Sequence, residues 1–102
     1  MSEYVYIVQM DIPPELEAEF NRIYDTQHLP EMMKVPGVLS IKRYAQEKPR
    51  PGVPKFAAFY YVASDDVAES PAWVAASDVG EWKIKIRPHT FNVTRSLYKL
   101  LS

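Results

Sequence analysis

Two strand-forming segments of this chain are apolar on both of their faces, and this feature limits the folds it can adopt. Residues 4–8 (YVYIV) and 56–62 (FAAFYYV) are aromatic, β-branched or small and apolar throughout. A strand in an antiparallel sheet with one face in water should instead alternate apolar and polar side chains. Both faces of a sheet built on these segments must therefore be covered by other protein.

The order of the predicted elements indicates a ferredoxin-like α+β plait. Residues 4–10, 38–45, 55–63 and 91–100 are predicted strands, because they are rich in β-branched and aromatic residues. Two consecutive prolines after the first strand open a helix that we expect to end near His28, since Leu29 precedes a proline, and residues 30–34 can form a second short helical turn. Ser70 starts the second helical region. The order is then β-α-β-β-α-β, a four-stranded antiparallel sheet with helices on one face.

Residues 81–87 (EWKIKIR) fit two interpretations. The alternation of Trp82, Ile84 and Ile86 with basic residues is typical of a strand. Trp82 and Ile86 are also four residues apart and share one face of a helix. We favour the helix.

Length and composition restrict the domain organisation and the partners. A chain of 102 residues fits one domain, spanning residues 1–102. Its net charge of −1 gives no basic surface of the kind that nucleic acids require. No apolar run approaches the ~20 residues that cross a bilayer, so no membrane partner is expected. Cysteine is absent and the N-terminus is unlike a signal peptide, which favours a cytoplasmic protein.

A second copy of the chain is the simplest cover for the sheet face that the helices leave open. Two helices of about a dozen residues cover only one face of such a sheet. Pairing of two copies, sheet to sheet, gives closed two-fold symmetry. We therefore predict a homodimer that pairs into an α+β barrel.

The two histidines are the candidate acid–base groups, because imidazole exchanges protons near neutral pH. His28 follows Tyr24 and Asp25 at helical spacing, so the carboxylate of Asp25 can orient the imidazole. A capping histidine with Asp25 in water is the alternative. His89 lies at the entrance to the last strand, where binding groups are common, although a histidine in a surface turn is the more usual case. The two histidines and Asp25 match no known metal signature, and we expect no metal.

The aromatic residues also predict a pocket for a small apolar or aromatic molecule. Ligand pockets are mostly apolar, with a few polar groups that fix orientation. Packing in the core and in the dimer is the alternative for most of these residues. The three scattered glycines exclude a glycine-rich phosphate loop, and no cofactor is expected. The candidate substrate-binding residues are Tyr6, Tyr24, Tyr60, Trp73, Trp82 and Asn92, with Arg95 as a further group for a carbonyl or carboxylate.

The segment YDTQHLP at residues 24–30, followed by VPGV at residues 35–38, resembles the Y-D-x-x-H-x-P … P-G segment of EthD-like proteins in the dimeric α+β barrel superfamily. Residues 55–62 and the stretch from 70 to 90 are also similar to members of this group. The resemblance implies a ferredoxin-like subunit that pairs into a barrel. It also implies that His28 is the acid–base or substrate-contacting residue and that Asp25 matches the motif aspartate.

The superfamily includes decarboxylation, dehydration, isomerisation, cyclisation and cofactor-free oxygenation. Our leading hypothesis is a cofactor-independent lyase or isomerase that acts on a small aromatic or polyketide-like metabolite. His28 would act as general acid–base with Asp25 as its orienting group, while His89, Asn92 or a pocket tyrosine polarises a carbonyl. The alternatives are a non-catalytic binding or accessory protein, and an oxygenase with or without haem.

Overall fold

A computed structural model of the protein describes residues 3–102 as one antiparallel sheet with helices packed against it. The strands are β1 (Tyr4–Asp11), β2 (Val38–Ala45), β3 (Phe56–Val62) and β4 (Phe91–Lys99). Their order across the sheet is β2-β3-β1-β4, so the two segments that are apolar on both faces form its centre. The predicted ferredoxin-like α+β plait is confirmed.

Helices connect the strands in the predicted places. They are α1 (Glu17–Ile23), α2 (Leu29–Met32) and α3 (Pro71–Ser77), with 3₁₀ turns at Pro14–Leu16, Val67–Glu69 and Arg87–His89. The hydroxyl of Ser70 accepts a hydrogen bond from the amide of Trp73 at 3.2 Å and so caps α3. No helix in the described residues is long and apolar enough to cross a membrane.

A π-helical turn, Tyr24–His28, joins α1 to α2 without a break. In a regular helix the ring of Pro30 would clash with the carbonyl four residues earlier. The wider π turn directly before α2 relieves this crowding. Leu29 therefore keeps helical angles of φ −61° and ψ −47°. The helical turn expected over residues 30–34 is present as α2, but no break separates it from the first helix near His28, because the π turn runs directly into it.

A second π-helical turn, Trp82–Ile86, establishes residues 81–87 as helical. It also ends two residues before a proline, Pro88, as the first π turn does before Pro30. Trp82 and Ile86 are buried, whereas Ile84 is 77% exposed. The four-residue spacing therefore decides the structure here, and the helical interpretation is confirmed.

The sheet has an inner face against the helices and an outer face away from them. Val8, Met10, Ala58 and Tyr60 are buried on the inner face. Their partners from the helices include Phe20, Ile23 and Met32. The outer face carries Val5, Ile7, Phe59 and Tyr61 on the central strands, with Tyr44 and Tyr98 about half exposed at its sides.

Gly37 makes the sharp connection from α2 into β2. Its φ is +94°, a left-handed conformation that side chains disfavour. A Cβ at this position would lie 2.6 Å from Cγ2 of Val67. Only glycine fits both the backbone angle and the close approach.

Candidate functional site

A cavity of about 420 Å³ lies between the inner face of the sheet and the helices. Five of the six predicted substrate-binding residues line it. They are Tyr6, Tyr24, Tyr60, Trp73 and Trp82. The charged and titratable lining groups are His28, Asp78, Arg87 and Arg95.

His28 is the one buried polar or charged residue among residues 3–102, at 5% exposure. Its ring stacks on Trp82, with centroids 4.4 Å apart and planes 20° apart. Tyr24 meets the same ring edge-on at 4.8 Å. Its Nδ1 is buried and has no hydrogen-bond partner in the described chain. Aromatic packing against Trp82 and Tyr24 therefore holds the imidazole in place, with no hydrogen bond at Nδ1 to fix it.

Burial, with smaller contributions from the positive charges of Arg87 and Arg43, lowers the pKa of His28 to about 4. The imidazole is therefore neutral at pH 7. Because Nδ1 is enclosed, any proton exchange between His28 and a molecule in the cavity would have to pass through Nε2.

Asp25 does not orient His28. Its carboxylate is 60% exposed and accepts a hydrogen bond from Nη1 of Arg43 at 2.7 Å. The i→i+5 bonding of the π turn moves residues three apart off a shared face, while Tyr24, four residues back, stays beside His28. The structure therefore differs from the expected contact between Asp25 and His28. The wider turn separates the two side chains, and the carboxylate of Asp25 positions Arg43 instead.

Arg43 lies between the helix and the sheet. Its guanidinium stacks over the rings of Tyr24 at 4.3 Å and Phe20 at 5.1 Å. Its other nitrogen, Nη2, donates to Asn21 at 2.8 Å. This arginine is therefore fully partnered, and it supports the wall of the cavity from behind Tyr24.

The hydroxyls of Tyr24 and Tyr60 share a short hydrogen bond in the cavity wall. Burial raises the pKa of Tyr24 to about 12 and raises that of Tyr60 well above its usual value. Both phenols are therefore neutral at pH 7. One hydroxyl donates within the pair, which leaves the hydrogen of the other free for an acceptor in the cavity.

Trp73 closes the cavity from α3. Its ring packs against Tyr6 at 5.3 Å and Tyr60 at 4.9 Å. Together with the His28–Trp82 stack, these contacts form apolar walls around a few polar tips, an arrangement typical of small-molecule sites.

Gln27 connects the two π turns. Its Oε1 accepts from the amide of Glu81 at 3.0 Å, and its Nε2 donates to Oε2 of the same residue. Gly80 makes room for this clamp, because a Cβ there would lie 2.7 Å from Oε1 of Gln27. The clamp fixes Trp82, the residue after Glu81, over His28, the residue after Gln27.

His89 and Asn92 lie outside the cavity lining. His89 is exposed in the 3₁₀ turn after the second π turn. Asn92 adopts φ +52° beside the bulge between β1 and β4, and its amide donates to Asp11 and to the carbonyl of Gly52. These bonds tie the proline-rich loop at residues 47–54 (EKPRPGVP), between β2 and β3, to the sheet, so the amide of Asn92 is occupied by structural contacts.

The site also depends on Gln27, Arg87 and Asp78, which were not predicted from the sequence. Arg87 donates to Asp78 at 2.8 Å and to the carbonyl of Ser77, which joins the second π region to α3. For Gln27 and Arg87 the available signal was the proline two residues after each π turn, Pro30 and Pro88, because a proline disturbs a regular helix. Across residues 3–102 no group of three acidic or histidine side chains is arranged to hold a metal ion.

The strand order, the antiparallel sheet and the helices on one face define a ferredoxin-like α+β protein. No protein-family profile matches the chain, and no curated protein sequence matches it. Solved structures do share its fold. An EthD family protein from Bacillus halodurans matches at 16% identity and a TM-score of 0.64, covering 94% of this chain and 97% of that one. The EthD-like resemblance is confirmed at the level of the fold.

Two further similar structures belong to proteins with described activities. The heme-degrader MhuD from Mycobacterium tuberculosis matches at 16% identity and a TM-score of 0.68, covering 97% of this chain and 96% of that one. SnoaB, a cofactor-independent oxygenase from Streptomyces nogalater, matches at 11% identity and 0.66, covering 100% and 96%. Other matches include ferredoxin-like proteins described as dimeric. At these identities the comparison shows the fold alone.

Proposed function

We propose that this protein is a cofactor-independent enzyme of the lyase or isomerase type that acts on a small aromatic or polyketide-like metabolite. The observation that carries the proposal is a neutral imidazole, His28, enclosed in a cavity with aromatic walls. Buried titratable groups with perturbed pKa values in a cleft are characteristic of functional sites.

The cavity fits a planar ligand of modest size. Its volume of about 420 Å³ lies within the range of roughly 300–1,000 Å³ that small-molecule sites occupy. Tyr6, Trp73 and Trp82 offer ring faces and edges for stacking or edge-on contact. We therefore infer that the ligand is aromatic or has the conjugated carbonyls of a polyketide.

His28 is the proposed general base. Its neutral form can accept a proton through Nε2 from a carbon or hydroxyl next to a carbonyl. The paired hydroxyls of Tyr24 and Tyr60 are the proposed donors to that carbonyl, since one of their hydrogens is free. In isomerisation the imidazolium returns the proton to another atom of the product, and in dehydration it protonates the leaving hydroxyl, which departs as water. In decarboxylation carbon dioxide leaves instead, the hydrogen bond to the carbonyl stabilises the resulting enolate, and a proton is then added to that enolate.

The working unit is proposed to be a homodimer. The outer face presents Val5, Ile7, Phe59 and Tyr61, apolar side chains that the helices do not cover. A second copy, face to face, removes this surface from water. We expect a sedimentation mass about twice the 11.8 kDa of the chain. A single-chain mass at micromolar concentration would contradict the dimer.

Phe59→Lys tests the same interface. It should shift the dimer towards single chains, because it places a charge at the centre of the outer face. Ile84→Lys is the matched control, since Ile84 is 77% exposed on the second π turn, away from the sheet. Equal sedimentation of both variants would place the interface elsewhere.

The catalytic role is tested on the ligand that the protein retains. Native mass spectrometry of freshly purified protein identifies the bound compound, and its turnover is then followed. His28→Phe should lower turnover by about 10²–10⁴-fold, the usual contribution of a positioned acid–base group. His89→Phe is the control and should keep full turnover, because His89 lies outside the cavity lining. Unchanged turnover in His28→Phe would refute the role of His28.

The alternatives give different results in the same preparation. A non-catalytic binder would retain the compound, yield no product and bind it with the same affinity in His28→Phe. A haem oxygenase would show a Soret band. A cofactor-free oxygenase would consume oxygen with the compound, whereas the proposed reaction needs none.

A further inference from the structure

Each edge strand of the sheet carries one arginine on its inner face. Arg43 lies on β2 and Arg95 on β4, each next to a buried residue of the neighbouring central strand, Ala58 and Val8 respectively. Inner-face positions in a sheet of this kind normally carry apolar side chains. Arg43 is mostly buried there, at 15% side-chain exposure, and so needs partners, whereas Arg95 is exposed to solvent on its edge strand.

The two arginines differ in their partners. Arg43 bonds Asp25 and Asn21 and stacks on two rings. Arg95 lines the cavity, and within residues 3–102 it has neither an ion pair nor a hydrogen bond. Its guanidinium is therefore available to a group that enters the cavity.

The charges of the cavity favour an anion. Asp78 is the only carboxylate in the lining, and it is already held by Arg87 at 2.8 Å and by Lys83 at 3.8 Å. Arg95 is left as an exposed cation at the cavity, and no carboxylate among residues 3–102 pairs with it. Guanidinium binds a carboxylate through two parallel hydrogen bonds, which gives orientation as well as affinity.

We propose that Arg95 is the anchor for the carboxylate of an aromatic acid whose ring occupies the cavity beside Trp82 and His28. The inference rests on the proposed function and specifies its substrate class as an aryl or polyketide carboxylic acid. Arg87 adds positive charge to the same cavity but is engaged by Asp78 and Ser77, so it supports the anion without forming the main contact.

A bound carboxylate would also improve the base. Arg87 and Arg43 contribute to the low pKa of His28 through their positive charges. A negative charge in the cavity offsets this effect and raises the pKa of His28 towards the working pH. Proton transfer is most efficient when these two values are close. The carboxylate would thus hold the ligand on Arg95 and also make His28 a stronger base.

The test compares 2-naphthoate with 2-naphthamide, which differ in charge but have the same ring system and nearly the same size. Binding to the full-length protein is measured by calorimetry. We expect 2-naphthoate to bind at least about tenfold more tightly, the factor that one charged contact of about 1.4 kcal/mol supplies. Arg95→Gln should abolish this preference and leave 2-naphthamide binding within about twofold.

Lys99→Gln is the matched control, because Lys99 lies on the same strand and inner face but outside the cavity lining. It should keep the preference for the acid. Equal binding of both compounds by the wild type, or equal weakening of both by Arg95→Gln, would overturn the anion subsite. That result leaves the proposed function standing, since the amide still reports an aromatic pocket. If neither 2-naphthoate nor 2-naphthamide binds, the anion subsite and the proposed function are both overturned.

A third outcome is loss of dimer mass in Arg95→Gln with the acid preference intact. It would show that Arg95 pairs with a second subunit, and it would also overturn the subsite.

Discussion

The buried imidazole of His28 should make the protein sensitive to mild acid in a way that one substitution removes. In the folded state the pKa of His28 is lowered to about 4 from an ordinary value near 6.5. Between these two values the unfolded chain binds a proton at this position and the folded chain does not. Stability from this group is therefore complete above about pH 6.5 and is lost as the pH falls towards 4.

The size of the effect follows from the shift. Each pKa unit corresponds to about 1.4 kcal/mol, so His28 should account for a loss of about 3 kcal/mol between pH 7 and pH 4. Small domains have total stabilities of about 5–15 kcal/mol, so the loss is large enough to measure without unfolding the protein. His28→Phe keeps a flat ring against Trp82 but has nothing to protonate.

The assay is urea unfolding of wild type and His28→Phe at fixed protein concentration, at several values between pH 7 and pH 4. The carboxyl groups of Glu19, Asp78 and Glu81 also have lowered pKa values, from pairing with basic side chains, and they weaken both proteins in acid equally. The difference between the free energies of unfolding of the two proteins, plotted against pH, isolates the contribution of His28. This difference should change by about 3 kcal/mol in favour of the variant between pH 7 and pH 4. Parallel curves would refute the buried, neutral imidazole.

Three further substitutions test the packing of the site. Gln27→Ala removes the clamp between the π turns and should loosen the packing of Trp82. The near-ultraviolet circular dichroism should weaken and the free energy of unfolding should fall by about 1–3 kcal/mol, whereas an unchanged spectrum would contradict the clamp. Tyr60→Phe leaves the buried hydroxyl of Tyr24 unpaired and should lower the free energy of unfolding in urea by about 1–3 kcal/mol. An unchanged free energy of unfolding would contradict the hydrogen bond between the two hydroxyls. Gly37→Ala should lower the melting temperature by several degrees, at about 1 kcal/mol or more, and an unaltered melt would contradict the strained turn.

The fold could be predicted from the sequence because its signals are local and consistent. The apolar character of residues 4–8 and 56–62 places both segments at the centre of the sheet, and the order of elements leaves few topologies. The aromatic pocket was predicted from the tyrosine and tryptophan residues, because ligand pockets are mostly apolar with a few polar groups. Five of six proposed substrate contacts do line the cavity.

The details of the site depended on helix geometry that regular spacing does not describe. Asp25 was placed beside His28 by α-helical spacing, but a π turn of i→i+5 bonds separates them. Asn92 was assigned to the pocket from its position on β4, yet a bulge and a left-handed φ turn it towards the proline-rich loop. His89 lies just beyond the second π turn and is exposed. In each case an irregularity in the backbone decides where the side chain lies.

The proposed site depends most directly on the protonation state of the His28 imidazole, and the protein has only two histidines. A long-range proton–nitrogen correlation spectrum at pH 7 resolves both rings, and His28→Phe assigns them. We predict a neutral His28 whose signals move when 2-naphthoate or 2-naphthamide fills the cavity, while those of His89 stay in place. A protonated His28 at pH 7, or signals that do not respond to a ligand at saturation, would contradict the central claim.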